Sequence, residues 1–508
     1  MRRFLELAGV LAFLTLAAAA AVRYSLARGY TLYDGDAEAH LNIARRILDS
    51  RTPGPEQIGT VWLPLPHILM IPAAMHGGWW QSGAAGAVVS PVALVLAGAF
   101  LFAAARRVYL SAAAAFAAVL IFALNPNVLY LGSTAMTELP FAACSAALLW
   151  STVWFRDSQS IFAILFAGIA AFAASLTRYE GWFFIPFVAI YFLFIARRKW
   201  HAVLFGAIAL LGPLAWLAHN RYYYGDALEF YHGPWSALAI YQRQRAAGRS
   251  PYPGDHDWRK ACQYYFAAAR LVCGPIAIVL GAAGAILALL RKAAWPLLFL
   301  SLAPIFFVLS MHSSGTPIFV PGLWPYSFYN TRYALAVVML AAFAAGAIVT
   351  LLEAPRPRSP AAIGSAPARK GAILAAIVCG LAPLAFWISH RPVCLEEAER
   401  NSRARREWIR QAAEFLQTNY RRGSGILFSF GDLTGALRQA GIPLREGLHS
   451  GNGPAWNAAL IRPDLFLREE WALGFAGDEV AGAARRAHYR LRKRIATTGA
   501  VIEIYQRP

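Results

Sequence analysis

Phe4-Leu5-Glu6-Leu7-Ala8-Gly9-Val10-Leu11-Ala12-Phe13-Leu14-Thr15-Leu16 continues through an alanine run to Val22, and Tyr33-Asp34-Gly35-Asp36 follows a few residues beyond its end. An apolar run of about 20 residues is what a helix needs to cross a hydrocarbon core of about 30 Å. Two carboxylates hinged by a glycine at the lip of such a span are either solvated helix caps or the working end of a site that handles a membrane-bound substrate. The rest of the chain must decide between these readings.

With 58% hydrophobic and only 15% charged residues, the chain lacks the polar surface of a soluble fold, which needs about a quarter charged residues. It reads as a polytopic α-helical membrane protein. We count about 11 transmembrane helices, near Phe4 to Val22, Gly83 to Ala105, Ala112 to Leu131, Leu139 to Phe155, Ile161 to Leu176, Trp182 to Ala196, Ala202 to Ala218, Leu271 to Leu290, Ala294 to Met311, Tyr333 to Leu352 and Gly371 to Ile388. The first is expected to stay as an anchor, although a basic start and an alanine run before Arg23 also fit a cleaved signal.

A net charge of +20 invites a nucleic-acid reading, but the cations fall in alternate short loops. Arg2-Arg3, Arg106-Arg107, Arg156, Arg197-Arg198-Lys199, Arg291-Lys292 and the group Arg356, Arg358, Arg369 and Lys370 form a positive-inside pattern. The N-terminus is then cytoplasmic, no nucleic-acid partner is expected, and the segments around Asp34, 125–140, 178–181, 220–263 and 312–332 lie outside, together with the tail. Five cysteines without CxxC spacing imply neither a disulfide framework nor structural zinc; Cys262 and Cys273 are the pair an outer-face bridge would use.

Three regions emerge: a membrane body, 1–389, with a first outer loop 23–75 and a long outer loop 220–263; a Pro-, Ala- and Ser-rich linker from Glu353 to Lys370 within it; and a soluble extracytoplasmic segment, 390–508. The tail reads as a small α/β domain, with a helix Glu396 to Asn419 and strands at Gly425 to Phe430, Leu465-Phe466-Leu467 and Val501 to Tyr505. Its run Arg485-Arg486, Arg490 and Arg492-Lys493-Arg494 reads as a solvated helix face. In the first outer loop, Leu41, Ala44 and Leu48 lie on one helical face and Glu38, Asn42, Arg45 and Asp49 on another. That pattern predicts a helix lying along the membrane surface.

The outer loops carry matching polar groups. Asp34 or Asp36 caps a helix or serves chemistry, and Arg45 has Asp49 four residues on. His40 stands one turn beyond Asp36. Glu138 follows the break Asn125-Pro126 at a helix start, as a dipole-friendly cap or a second site carboxylate. Thr177-Arg178-Tyr179-Glu180-Gly181-Trp182 packs a cation, a carboxylate and two aromatics into one turn. Arg332 and Tyr333 stand just before a span, where Arg332 either neutralises a phosphate or snorkels.

Tyr33-Asp34-Gly35-Asp36 after the first span, the interfacial segment, the Asn-Pro break leading to Thr137-Glu138, the Thr-Arg-Tyr-Glu-Gly-Trp turn and an outer C-terminal domain together resemble the GT-C glycosyltransferases, which include protein mannosyltransferases, aminoarabinose transferases and oligosaccharyltransferases. The resemblance implies a GT-C-like fold, a catalytic aspartate in the first loop, here Asp34 or Asp36, and a sugar donor on a polyprenyl phosphate or pyrophosphate. The adjacent Asp-Glu pair of the mannosyltransferase branch is absent, as is a WWDYG-type motif, so the acceptor (glycan, lipid or protein) stays open.

Such chemistry needs a carboxylate to take the acceptor proton and fixed positive charge for the departing phosphate. The expected site is therefore Asp34 and Asp36 as catalytic candidates, with His40, Glu138, Arg178, Tyr179, Glu180, Arg332 and Tyr333 binding substrate. Asp34, Asp36 and Glu138 are also oxygen donors suited to Mg2+ or Mn2+. The expected setting is a bacterial inner membrane. The rival is a lipid-linked glycan transporter or flippase, which predicts ionisable groups deep inside spans and paired broken helices.

Overall fold

The computed structural model describes residues 2–290, 293–352 and 366–508. Arg291, Lys292, Arg356 and Arg358, and most of the linker read between Glu353 and Lys370, lie outside the described residues.

Each of the eleven apolar runs forms helix, but they differ in length. Among the described residues seven helices are long and apolar enough to cross a membrane: Phe4–Arg28, Ala84–Tyr109, Glu138–Ser158, Trp200–Tyr224, Ala294–His312, Thr331–Val349 and Lys370–Trp387. Ala112–Ala123, Ile161–Ser175 and Glu180–Ile195 are shorter, and Pro275–Leu290 is one arm of a pair bent by 107° from Trp258–Cys273. The shortening has visible causes. Ala112–Ala123 stops where Asn125 turns its side chain back to accept from Asn127 N (2.9 Å) and starts a separate helix with Pro126 at its first position. Cys262 and Cys273 share one helix about three turns apart and are both free, so they form no bridge with each other.

Small residues let the helices approach closely. A Cβ added at Gly281 or Gly284 would run into the backbone of Ala341, Ala344 and Ala345, the small-residue contact by which apolar helices associate where no hydrophobic force distinguishes protein from lipid. Ion pairs mark one end of the bundle: Arg106 with Glu6 at 3.1 Å and Arg107 with Asp157 at 2.7 Å. The segments around Asp34, Glu138, Arg178 and Arg332 meet at the opposite end.

The tail begins with a long helix, Val393–Asn419, followed by a five-stranded sheet: β1 (Ile426–Phe428), β2 (Gly447–Leu448), β3 (Trp471–Phe475), β4 (Arg490–Thr497) and β5 (Ala500–Gln506), in spatial order β2-β1-β3-β5-β4. β2, β1 and β3 are parallel, and β5 and β4 add antiparallel. One sheet face packs its own core of Leu427, Leu448, Trp456, Ala472, Val480 and Tyr505. The other, with Ile426, Phe428, Trp471 and Ile502, continues through Trp408, Ala412 and Leu416 into the core of the membrane body.

Two tail expectations are corrected. Leu465-Phe466-Leu467 is not a strand: Pro463, with its preset φ, opens a helical turn Pro463–Phe466. The arginine-rich run is helical only to Arg486. Arg490, Arg492, Lys493 and Arg494 lie on β4, an edge strand whose exposed cations discourage pairing with a further strand.

The first-loop helix Gly35–Arg46 also differs from expectation. It does not lie with a polar face in water, because Glu38, Asn42, Arg45 and Asp49 are as buried as Leu41 and Ala44, whereas Leu48 is exposed. The tail covers the polar face: Arg438 donates to Glu38 at 2.9 Å, Arg445 pairs with Asp49 at 3.1 Å, and Arg51 pairs with Glu469. The anticipated Arg45 to Asp49 pair is present at 2.6 Å.

Candidate active site

Helix Arg2–Arg28 ends at Gly29 in a left-handed conformation (φ 70°), and one 3-10 turn later Asp34 caps the next helix, its Oδ1 accepting from Asp36 N at 2.9 Å. At Gly35 the absence of a Cβ leaves room for the Arg405 guanidinium, which a larger residue would have to displace. Asp34 is thus committed to a cap and is 11% exposed along its side chain, whereas Asp36, one position inside the helix, is 40% exposed.

Arg332 lies between the carboxylates. It donates Nη1 to Asp34 Oδ2 at 3.5 Å and Nε to Glu138 Oε1 at 3.2 Å, and it pairs through Nη2 with Asp36. Glu138, in the first turn of its helix, also accepts from Arg178 Nη1 at 2.9 Å, and Arg178 Nε donates to Glu180 at 2.7 Å. Both guanidinium carbons stand over Tyr333, at 5.1 Å and 5.3 Å from its ring centre. Asp34, Asp36, Glu138, Arg178, Glu180, Arg332 and Tyr333 are therefore one cluster.

Two expected members stand apart from it. The Tyr179 hydroxyl donates to Val61 O at 2.8 Å and its ring stacks on Phe230, so it anchors the turn to the loop 23–75. His40 turns its ring from Asp36 toward His67, with which it shares a hydrogen bond of 2.8 Å, and toward Trp62.

The reading of Asp34, Asp36 and Glu138 as a metal triad does not fit. Among the described residues no group of three His, Cys, Asp or Glu side chains could hold a metal ion, and the Arg332 guanidinium fills the point where these three converge. The cation of this cluster is supplied by the chain.

Beneath the cluster opens a cavity, partly open to its surroundings. Glu138, Arg178, Glu180 and Arg332 form its polar rim, and Phe141, Phe184, Phe299, Phe307 and Met339 are among its apolar walls. Apart from Arg178, which lies in the turn before helix Glu180–Ile195, its lining comes from helices and the turn leading into Leu335–Val349, and the loop 23–75 contributes no wall. Glu138 Oε2 is buried there without a hydrogen-bond partner, a cost that a ligand donor would remove. The arrangement suits an amphiphile with a polar head at the rim and an apolar tail below.

Burial pushes the Asp34 carboxyl above its ordinary range, with Asp36 adding and Arg332 opposing. Burial, reinforced by Arg332 and Arg178, lowers His40 to about 3, and burial with Arg46 and Arg51 nearby lowers His449 to about 3. Neither imidazole titrates near neutrality in the folded chain. Between pH 6.5 and about 3 the unfolded chain therefore takes up protons that the folded chain refuses. The stabilisation is complete above pH 6.5 and declines as pH falls through that window. His449→Asn, which keeps a cap acceptor for Gly451 N, is expected to show a smaller drop in Tm between pH 7.5 and pH 5 than the parent chain, measured by thermal unfolding in detergent.

Sequence reasoning missed two groups at the site. Glu397 accepts from Asn330 N at 2.7 Å and from Thr331 N at 2.9 Å, and Arg405 donates to Tyr33 O at 2.8 Å. A signal was present: Glu397 and Arg405 lie on the helical face that carries Cys394, Ala398 and Trp408, where a solvated helix would keep no charge.

Over residues 79–219 the chain is similar in sequence to a mannosyltransferase family, the dolichyl-phosphate-mannose-protein mannosyltransferase family. That span holds Glu138, Arg178, Tyr179 and Glu180 and excludes Asp34, Asp36 and Arg332. Among solved structures, the chain is similar to an Archaeoglobus fulgidus oligosaccharyltransferase, crystallised as a complex with Zn and sulfate, at 11% identity over 97% of this chain and 72% of that one, with a TM-score of 0.46. No curated protein matches the chain in sequence.

Proposed function

We propose that this protein transfers a sugar from a polyprenyl-phosphate donor to an acceptor hydroxyl on the outer side of the membrane, by direct displacement with inversion. The observation that carries the reading is the junction of an ion-pair cluster with an aromatic-walled cavity, since a lipid phosphate sugar has a charged head and an apolar tail. The tail occupies the cavity, and the phosphate lies at Arg178 and Arg332. Because both guanidiniums already serve carboxylates, the phosphate shares them, and a donor sugar hydroxyl faces the free Glu138 Oε2.

Asp36 is the proposed base. It is the exposed carboxylate of the pair, and it takes the acceptor proton as the acceptor oxygen forms its bond to the anomeric carbon and the phosphate oxygen departs with its electrons. The phosphate leaves as an anion without needing a proton, and the guanidiniums stabilise the charge that develops on it. The orientation follows the cationic loops, with the N-terminus cytoplasmic and the tail extracytoplasmic. The transporter alternative finds one bent helix pair among the described residues, but the titratable groups of this cluster gather at one end of the bundle rather than deep within spans.

The test is transfer of radiolabelled sugar from a panel of polyprenyl-phosphate and pyrophosphate donors by the purified chain in lipid, with the product anomer determined. Inverted product from a monophosphate donor is expected. Retained configuration, or transfer from no donor, would overturn the proposal. Ala142→Phe, which narrows the cavity from a partly exposed wall position, is expected to raise the donor KM by about tenfold while leaving acceptor KM alone.

A further inference from the structure

Arg332 owes its place to the turn before it. Asn330 is in the left-handed region (φ 55°) and donates its side-chain amide to Pro317 O at 3.1 Å, after which Thr331–Ala334 form a 3-10 turn leading into helix Leu335–Val349. The first N–H groups of such a segment have no partner within it. Here a carboxylate from the tail meets them. Glu397 Oε1 accepts from Asn330 N at 2.7 Å, and its Oε2 accepts from Thr331 N at 2.9 Å and Thr331 Oγ1 at 2.5 Å. Glu397 Oε1 is also 3.9 Å from Arg332 Nη1.

Resting on the proposed function, we infer that Glu397 is a positioning residue: the first helix of the C-terminal domain caps the segment that carries Arg332 and thereby aims its guanidinium at the reacting phosphate. The tail is then part of the site's architecture and not an appended module.

The neighbouring contacts support this. The same tail helix is pinned to the membrane body on either side of Glu397: Cys394 N donates to Asn127 Oδ1 at 2.9 Å, and Asn401 Nδ2 donates to Phe328 O at 2.9 Å. Glu397 is 5% exposed, and its carboxylate accepts hydrogen bonds from Asn330 and Thr331 beside Arg332. Burial raises its carboxyl above the ordinary range, opposed by Arg332 and by the Thr331 hydrogen bonds. A buried carboxylate with no role at this point would cost stability for nothing.

The experiment uses the full chain in lipid nanodiscs, with Glu397→Gln, Arg332→Lys and the double variant. Glutamine keeps the shape and one acceptor oxygen but loses the second acceptor and the charge. Amide hydrogen exchange of the segment 328–335 is expected to quicken about five- to tenfold in Glu397→Gln, the loss typical of a helix cap. Exchange in the tail sheet should stay unchanged. Transfer kcat is expected to fall about 10- to 100-fold, as for a misplaced catalytic group. In the Arg332→Lys background the same substitution should cost less than about threefold, because Glu397 acts through Arg332.

Binding of bare polyprenyl phosphate should follow the same non-additive pattern. Unchanged exchange, or losses that simply multiply, would overturn the inference. If the parent chain transfers from no donor and binds no polyprenyl phosphate, the proposed function fails, and exchange alone decides whether Glu397 holds the segment.

Discussion

Asp36→Asn is expected to lower kcat by about 10²- to 10⁴-fold, the worth of a positioned general base, while Asp34→Asn leaves kcat within about tenfold of the parent, since asparagine caps a helix as well as aspartate. The contrast follows from one hydrogen bond and one difference in exposure. Asp34 Oδ1 is engaged by Asp36 N and the side chain is closed in, whereas Asp36 stands at the open edge of the cluster. Sugar transfer by both variants at matched protein levels, with Tm measured alongside, checks the prediction. Equal losses in both would mean that the pair works as a unit, and a loss confined to Asp34→Asn would exchange their proposed roles.

Arg332→Ala is expected to be the substitution most damaging to stability. Its side chain is 9% exposed and within 4 Å of oxygens from Asp34, Asp36, Glu138 and Glu397. Removing it strands buried carboxylates, which costs about 3–5 kcal/mol when a buried pair is broken, and it removes a fixed charge from the leaving group, for a loss of about 10²- to 10³-fold in kcat.

The damage depends on pH in a defined direction. Asp34 and Glu397 already sit above the ordinary carboxylate range, and without the guanidinium they rise further. A group with a raised folded pKa stabilises the fold below its unfolded value, and that contribution is lost as pH rises through the folded value. The Tm deficit of Arg332→Ala should therefore be smaller at pH 5 than at pH 7.5. Arg332→Lys keeps the charge but not the planar fork that reaches several carboxylates at once, and it should fall between the two.

Much of the architecture was legible in the chain because its causes are local. Whether a segment crosses a bilayer depends on the length and polarity of that segment alone, so every apolar run became helix. The cap at Asp34, the Asn125-Pro126 break and the Arg45 to Asp49 pair were also readable, since each rests on neighbours within about one helical turn. The cluster was legible in part: Asp34, Asp36, Glu138, Arg178, Glu180, Arg332 and Tyr333 were each conspicuous as polar or aromatic groups in short loops between spans.

Their relation to one another was not. That Arg332 fills the point where a metal ion was considered, that Asp34 is closed in while Asp36 is open, and that His40 turns to His67 are consequences of packing between segments far apart in sequence. Tyr179 misled because a tyrosine in a polar turn looks the same whether it faces substrate or, as here, the Val61 carbonyl.

By itself, then, the sequence determined a bundle of apolar helices with charged loops gathered at one end and an α/β tail, because hydropathy and capping act over a few residues. Only the tertiary structure decided that the tail's Glu397, Arg405 and Arg438 reach into that end, that the polar face of helix Gly35–Arg46 is covered rather than solvated, and which carboxylate remains open. Ion pairs and hydrogen bonds join residues up to 418 positions apart, and the pattern of a linear chain carries no record of which charge will neutralise which.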